Sequence, residues 1–335
     1  MSEMDEAGPD MAPDDLSAIS IVVLSHNRKD ALEPNLFALI RMVRECGCEL
    51  IVVDNASTDG SAQMIREAAA DCHGMKALLN DRNLGVGGGR NVGWRAAGRD
   101  YILNIDDDTI VTVDAVRKML TMLRDRPEIG VVSPRIKHAR TGEMQFDFGH
   151  VEYRPTNFHG ACHMVRRTLL ETVGFNDDSC TFGGEELDLS IRARAAGQDV
   201  VYTPGVTVLH DSQVRHGREG SDRLVRWLYN LVRIHHKHFP LVAALPLSWR
   251  YLMNYLVTGV RARGPSFAVT LIGSAWRGWR DGRRQHHRVP KEVVAFYTAP
   301  DRLPDIGNVP ILEKLRRKWQ VNTHEGLVAK ELEKH

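Results

Sequence analysis

The chain predicts an α/β fold, with a mostly parallel, Rossmann-like central sheet covered by helices on both faces and a helical C-terminal extension. Three observations predict it. Short, continuously apolar segments alternate with helix-length segments through the first half, the pattern of strands buried on both faces. Polar, turn-forming motifs follow each of the first four strand segments, which in a parallel sheet gathers them on one edge. Past residue 240 the strand pattern ceases, and amphipathic, arginine-rich helical text takes over.

The elements follow in order. Ile19 to Leu24 (ISIVVL) and Glu49 to Asp54 (ELIVVD) read as buried strands. Met75 to Asn80 is a weaker third strand, Tyr101 to Asp106 (YILNID) a fourth, and IGVVSP from Ile129 another. Helices are expected over Lys29 to Glu45, Asp59 to Asp71, Gly87 to Gly98 and Thr112 to Arg124. GACHMVRR (Gly160 to Arg167) reads as a strand running into a helix. Glu185 to Ala196 is a helix closed by Gly197, because glycine takes the left-handed C-cap conformation without a side-chain clash. DVVYTP and VTVLH read as two short strands, the second ending at His210. A helix runs from about Gly217 to Lys237, with His235, His236 and His238 on different faces and read as surface or interface residues. Trp249, Tyr251 and Tyr255 beyond it read as amphipathic packing.

Composition narrows the class. Hydrophobic residues at 43% and charged residues at 26% exclude fibrous, collagen-like and wholly disordered chains. A balance of 44 Lys plus Arg against 43 Asp plus Glu gives no global reason to expect nucleic-acid binding. The balance is uneven along the chain. Residues 1–18 carry acids and no Lys or Arg, and are expected to be a disordered tail. Residues 261–291 carry seven arginines and Lys291 against the single acid Asp281. Five cysteines without framework spacing suit a reduced, cytoplasmic setting. Cys46 and Cys48 are too close for a usual zinc pair. No signal peptide is expected at the N-terminus. The best candidate for a membrane span, Phe239 to Val260, is interrupted by Pro240, Pro246 and Arg250.

The strand ends carry the chemistry. Asp106-Asp107-Asp108 places three like charges side by side, which a purely structural turn rarely requires. Carboxylates fanned around a turn are oxygen ligands for Mg2+ or Mn2+, and alternate residues of an extended chain, Asp106 and Asp108, face the same way. A solvated acidic turn is the plain alternative. Asp54 at the end of strand two is placed to accept hydrogen bonds from a ribose hydroxyl or a base N–H, or else to form an Asx-turn. Gly85-Val86-Gly87-Gly88-Gly89 fails the dinucleotide fingerprint, because Arg90 stands where it needs glycine. It reads instead as close backbone approach to a ligand or to the sheet. Glu185 and Glu186 open a helix whose N-terminus stabilises their ionised forms, which suits either a general base or simple dipole pairing. His210 alone is more simply a structural histidine, and the acidic cluster raises its standing as a metal ligand.

In order, SIVVLSHNR, LIVVDNASTDGS, NLGVGGGRNVG, NIDDDT, GACHMVRRTLLETVGF, FGGEELDLSIRARAAG and VLH resemble a family-2 glycosyltransferase of the GT-A fold, close to the bacterial rhamnosyltransferase-like group. The resemblance covers roughly Ile19 to Pro240. It implies a GT-A domain over 19–240, with 19–110 the nucleotide-binding half and 111–240 the acceptor half, and a basic helical extension over 241–335. By the same resemblance, Ser25, His26, Asn27, Arg28, Asp54, Asn83, Gly85, Arg90, Asp106 and Asp107 hold the nucleotide-sugar. Asp106, Asp108 and His210 bind Mn2+ or Mg2+. Gly160, Ala161 and Asp188 line the sugar and acceptor cleft. Glu186, preceded by Glu185, is the catalytic base.

The activity so implied is inverting transfer of one sugar from a nucleotide-diphosphate sugar to an acceptor hydroxyl of a glycan, glycolipid or small molecule. Processive relatives carry QxxRW, and here Arg223 replaces the glutamine of that motif, which suggests non-processive transfer. Two other classes stay open: a sugar-phosphate nucleotidyltransferase, against which the Ser25 to Arg28 loop counts, and a non-catalytic sugar-nucleotide-binding protein. The arginine-rich stretch 261–291, with its interspersed Phe267, Leu271, Trp276 and Trp279, suits peripheral contact with the inner face of the plasma membrane, a homodimer contact, or a solvated basic surface.

Overall fold

A computed structural model describes residues 16–212 and 217–302. Residues 1–15 of the expected tail and the chain beyond 302 lie outside them. Leu16–Ala18, assigned by sequence to the tail, form a 3-10 turn with Leu16 buried, because a leucine beside the first strand is better packed than hydrated. The chain divides into two compact units. The first comprises the described residues up to Phe175 together with Gln198–Ser212, and the second comprises Asn176–Gly197 together with the described residues after Gln213.

The first unit is built on β1 (Ile19–Ser25), β2 (Glu49–Asp54), β3 (Met75–Leu79), β4 (Tyr101–Asp106), β5 (Thr109–Ile110), β6 (Ile129–His138), β7 (Met144–Phe146), β8 (Cys162–Arg166) and β9 (Asp199–His210). Their order across one sheet is β3-β2-β1-β4-β8-β6-β9-β5, with β7 on β6. The strands β3, β2, β1 and β4 are mutually parallel, as the apolar runs predict. β8 then enters antiparallel between β4 and β6. The two short strands expected after residue 199 are one strand, β9, which pairs with β6 throughout and loops out residues 204–206 between Thr203 and Thr207. Pro204 and Gly205 interrupt the local pattern, but the ladder resumes on the other side, as at a β-bulge. The two-residue β5 and three-residue β7 have no apolar run to announce them.

Helices α1 (Lys29–Cys46), α2 (Ser61–Ala70), α3 (Gly85–Ala96), α4 (Val113–Asp125) and α5 (Arg167–Val173) complete this unit. Ile19, Ile21 and Val23 of β1 join a core with Leu32, Leu36 and Leu39 of α1 and Met119 and Leu123 of α4. On the opposite face, α3 presents glycine to the sheet. A Cβ at Gly93 would stand 2.5 Å from Val22 Cγ1, and one at Gly89 would stand 2.6 Å from Leu24 Cδ1. The close approach read from the glycine run is therefore to the sheet.

The second unit holds α6 (Glu185–Ala195), α7 (Gly217–His238), α8 (Leu241–Arg263), α9 (Phe267–Arg284) and α10 (Lys291–Thr298). The expected boundary at 240 falls between α7 and α8, yet these helices pack on one another. Val232 and Leu228 of α7 share a core with Leu271 and Ala275 of α9, and Cβ atoms at Gly278 or Gly282 would strike the α7 backbone at Tyr229 or Arg233. The three histidines, read as surface or interface residues, are all buried where helices meet. α7 is wrapped on several sides, so residues on different faces all lose contact with water. His235 stacks on Tyr251 with ring centroids 5.4 Å apart, and His238 meets Asp188 at 2.7 Å.

Candidate metal and nucleotide site

The four polar motifs do gather at the carboxyl ends of β1–β4, where a parallel sheet leaves backbone groups and side chains unused by the ladder. β4 ends at Asp106, whose N–H donates to the Ala161 carbonyl, and β5 begins at Thr109. Thr109 pairs with His210, and the Asp211 N–H donates to the Asp108 carbonyl at 3.0 Å. This clasp draws His210 from a distant strand onto the acidic turn.

Asp106, Asp108 and His210 each offer a ligand atom, and these atoms lie within 4.8 Å of one another. His210 Nε2 is 3.1 Å from Asp108 Oδ1 and 4.0 Å from Asp106 Oδ2. On the other side of the ring, Nδ1 meets Gln145 Oε1 at 2.7 Å. An amide oxygen only accepts, so Nδ1 carries a proton; Nε2 faces the two carboxylates, donating to Asp108 when the ring is cationic and turning a lone pair toward them when it is neutral. Gln145 is itself oriented by donating Nε2–H to Ser212 Oγ at 2.7 Å. Two carboxylate oxygens and a correctly tautomerised imidazole make a mixed donor set for a divalent cation, and the set fits Mn2+ readily, whereas Mg2+ favours oxygen alone. Burial of Asp108 opposes its ionisation, but His210 and Arg28 outweigh burial and lower its pKa. Burial likewise opposes charge on His210, and Asp108 and Asp106 more than compensate, raising its pKa.

The other expected residues divide into two groups. Some remain turned to an open edge. Asp54 is buried and accepts the Ser57 N–H at 2.9 Å through Oδ2, while its Oδ1 has no hydrogen-bond partner among the described residues. Asn27 Oδ1 accepts from Thr58 N–H at 2.7 Å, joining the loops after β1 and β2. Among the described residues, Asn27 and Ala56, in those loops, are the non-glycine residues with positive φ, at 52° and 63°. His26 is half-buried beside Asn27. Asn83 Oδ1 accepts from the Gly85 N–H at 2.8 Å and from Asn55 Nδ2 at 3.0 Å.

Others are committed inward, contrary to expectation. Arg90 is buried, and its Nη2 donates to Asp106 Oδ1 at 2.9 Å and to the Gly160 carbonyl at 3.0 Å. It holds the Asp106 carboxylate in place and turns the Gly160 carbonyl inward. Asp107 is buried, accepting from Ser25 Oγ at 2.8 Å and pairing with Arg28 Nε at 3.3 Å. Burial first, then the neighbouring acids, push its pKa up to about 7. Arg28 also contacts Asp108, so the first loop and the acidic turn are locked together. Ala161 belongs to the core, because antiparallel β8 brings it beside β4.

The remaining expected residues belong to the second unit. Asp188, expected in the sugar and acceptor cleft, is completely buried. It pairs with Arg192 at 2.7 Å, Lys237 at 2.9 Å and His238 at 2.7 Å. Glu185 is buried and Glu186 half-exposed, so of the two acids solvent reaches Glu186 more readily. They start α6 after Gly183 and Gly184, whose φ angles of 73° and 96° require glycine. Asn230 of α7 pins this turn, donating to the carbonyls of Phe182 at 3.2 Å and Gly183 at 2.7 Å.

Sequence reasoning missed Gln145 and Ser212, which orient His210, and Asn55, whose buried amide also accepts from Asn80 Nδ2 at 3.1 Å and Leu84 N–H at 3.0 Å. Asn55 had one signal, its place directly after Asp54 at a strand end. Gln145 had none.

A sheet in this order, with two alternate aspartates and a histidine at its edge, has the architecture of a GT-A glycosyltransferase. Residues 20–186 match the model of glycosyl transferase family 2, and the chain belongs to that family. It is 25% identical over 263 residues to poly-beta-1,6-N-acetyl-D-glucosamine synthase of Staphylococcus aureus, covering 70% of this chain and 61% of that protein. The chain thus spans about three fifths of the length of the curated relatives it matches. Among solved structures, a mannosyltransferase from Pyrobaculum calidifontis in complex with GDP-Man and Mn2+ matches with a TM-score of 0.53 and 20% identity, over 88% of this chain and 91% of that one. GalNAc-T7 with UDP, GalNAc and Mn2+ matches with a TM-score of 0.57 and 14% identity, over 85% and 58%. At these identities the likeness is one of fold.

Proposed function

We propose that this protein moves one sugar from a nucleotide-diphosphate sugar to an acceptor hydroxyl, with inversion and without processivity. The observation that carries the proposal is the Asp106–Asp108–His210 cluster with its tautomer fixed by Gln145. Those three residues would hold Mn2+ or Mg2+, which when bound offsets negative charge on a departing nucleoside diphosphate. Asp54 supports the nucleotide end of the reading, since a buried carboxylate oxygen without a partner is costly unless a ligand donates to it. Asn27, Ser57 and the Asn83 turn shape the edge beside it.

Glu186 is the proposed general base. From the start of α6 its carboxylate would take the proton from an otherwise weakly nucleophilic hydroxyl. A single base opposite the leaving group requires no covalent sugar–enzyme intermediate. The relatives named for polysaccharide synthesis and the neighbours crystallised with GDP-Man or UDP support a glycan-building role and a nucleotide-linked donor.

The deciding experiment is a panel of UDP-, GDP- and dTDP-sugars, each with Mn2+, read by thermal shift and by release of nucleoside diphosphate in the presence of hydroxyl acceptors. A true donor at a hundred times its Kd should stabilise the protein by about 2.7 kcal/mol. Absence of any shift and of any release across the panel would overturn the proposal.

A further inference from the structure

The second unit carries an apolar helix face left exposed among the described residues. α9 has two apolar stripes. One, through Phe267, Leu271 and Ala275, is buried in the core it shares with α7 and α8. The other comprises Val269, Ile272, Trp276 and Trp279, of which Val269 is 76% and Trp276 56% exposed. Their spacings of three, four and three residues set them on one side of a helix that turns every 3.6 residues. An exposed apolar stripe of this length on a folded protein marks a contact surface.

Its chemistry narrows the partner. Arg277 and Arg284 are exposed, and Arg280 and Arg283 half-exposed, around the stripe. The Arg280 guanidinium lies 5.4 Å from the centre of the Trp276 ring. The helix has one acid, Asp281, and it is engaged by Arg280 at 2.8 Å and by the Tyr229 hydroxyl at 3.1 Å. Arg261 and Arg263, exposed at the end of α8, add further positive charge just before α9.

A second copy docking on this face across a twofold axis would set arginine against arginine. A nucleic acid would satisfy the arginines and the tryptophan rings but offers nothing to Val269 and Ile272. An anionic bilayer satisfies all three, with phosphates at the level of the guanidinium groups, an interface that accepts indole rings, and hydrocarbon beneath.

We infer that the outer face of α9 docks on anionic phospholipid membranes, with Trp276 and Trp279 entering the headgroup region and Arg277, Arg280 and Arg284 meeting lipid phosphates.

The test is cosedimentation of the full chain with vesicles of phosphatidylcholine alone and of phosphatidylcholine mixed with phosphatidylglycerol, at low and high salt. Binding to the anionic vesicles should be at least about tenfold stronger, and the difference should shrink as salt screens it. Trp276→Ser with Trp279→Ser should weaken binding to anionic vesicles about tenfold while the melting temperature holds. Arg277→Glu with Arg284→Glu should remove the preference for phosphatidylglycerol. In the unaltered protein, brominated lipid should quench tryptophan fluorescence, a readout that needs no variant. Failure to bind anionic vesicles at low salt overturns the inference, whether a second copy or the chain's own residues 303–335 cover the face instead. Equal binding to both vesicle types overturns it too, as does a tryptophan variant that changes the oligomeric mass and leaves vesicle binding intact.

Discussion

Gln145 accepts the Nδ1 proton of His210 at 2.7 Å, and this one bond decides which ring nitrogen faces Asp108. Without it the neutral ring could protonate Nε2 instead and present a donor to the carboxylates. Gln145→Leu should therefore weaken Mn2+ binding by about tenfold to a hundredfold, the usual effect of removing a partner that orients a ligand. Mn2+ titration calorimetry checks it. An unchanged affinity would show that the ring orients itself.

Asp108→Ala should abolish Mn2+ binding and sugar transfer together. Glu186→Gln should lower transfer by about a hundredfold or more while nucleotide still binds, because only the proton acceptor is lost. Parallel assays of turnover and of nucleotide affinity separate the two. Normal transfer by Glu186→Gln removes it as the base.

Asp188 sits at the centre of a buried ion cluster with Arg192, Lys237 and His238. Asp188→Ala should cost about 3–5 kcal/mol, because it leaves buried cationic groups without their counter-charge. Asp188→Leu combined with Lys237→Met should recover part of that loss. Urea unfolding of both variants is the check, and a cost within experimental error of zero for Asp188→Ala would contradict the pairing.

His235 gives the second unit an acid sensitivity of defined sign. Burial holds its pKa down to about 4, against about 6.5 in an unfolded chain. The unfolded chain therefore takes up the proton first as pH falls. Stability is full above about pH 6.5, declines below it, and the loss saturates near pH 4 at roughly 3 kcal/mol from this ring. Melting temperatures at pH 7 and pH 5 should differ less in His235→Phe than in the unaltered protein. An equal difference would mean that the ring titrates normally.

Gly282→Ala should destabilise by about 1–3 kcal/mol, since its Cβ would press on the Arg233 backbone of α7. Alanine otherwise favours a helix over glycine by about 1 kcal/mol, so a raised melting temperature would mean the helices are not in this close contact.

Much of the first unit was legible before any coordinates. β1 and β2 carry unbroken apolar runs, and β4 is broken only by Asn104, because strands buried on both faces need no polar alternation. Asp54 and Asp106 stand at their carboxyl ends, where the parallel sheet must leave its edge open. That local logic placed Asp54, Asp106 and Asp108 together on the open edge of the sheet. It did not extend to Asp188, which looks in sequence like any acid in a helix's first turn, or to the histidines of α7, whose burial depends on helices that follow in the chain.

The sequence by itself determined the α/β class, the parallel half of the sheet and the acidic turn at its edge, since each follows from patterns within a few residues. Only the tertiary structure decided the antiparallel entry of β8, the inward commitment of Arg90 and Asp107, and the tautomer of His210. The physical reason is separation along the chain. Gln145 lies 65 residues from His210, and Arg90 lies 70 from Gly160, so no local periodicity carries either contact. They exist because the sheet brings distant strand ends together, and a buried polar atom must then find its partner there.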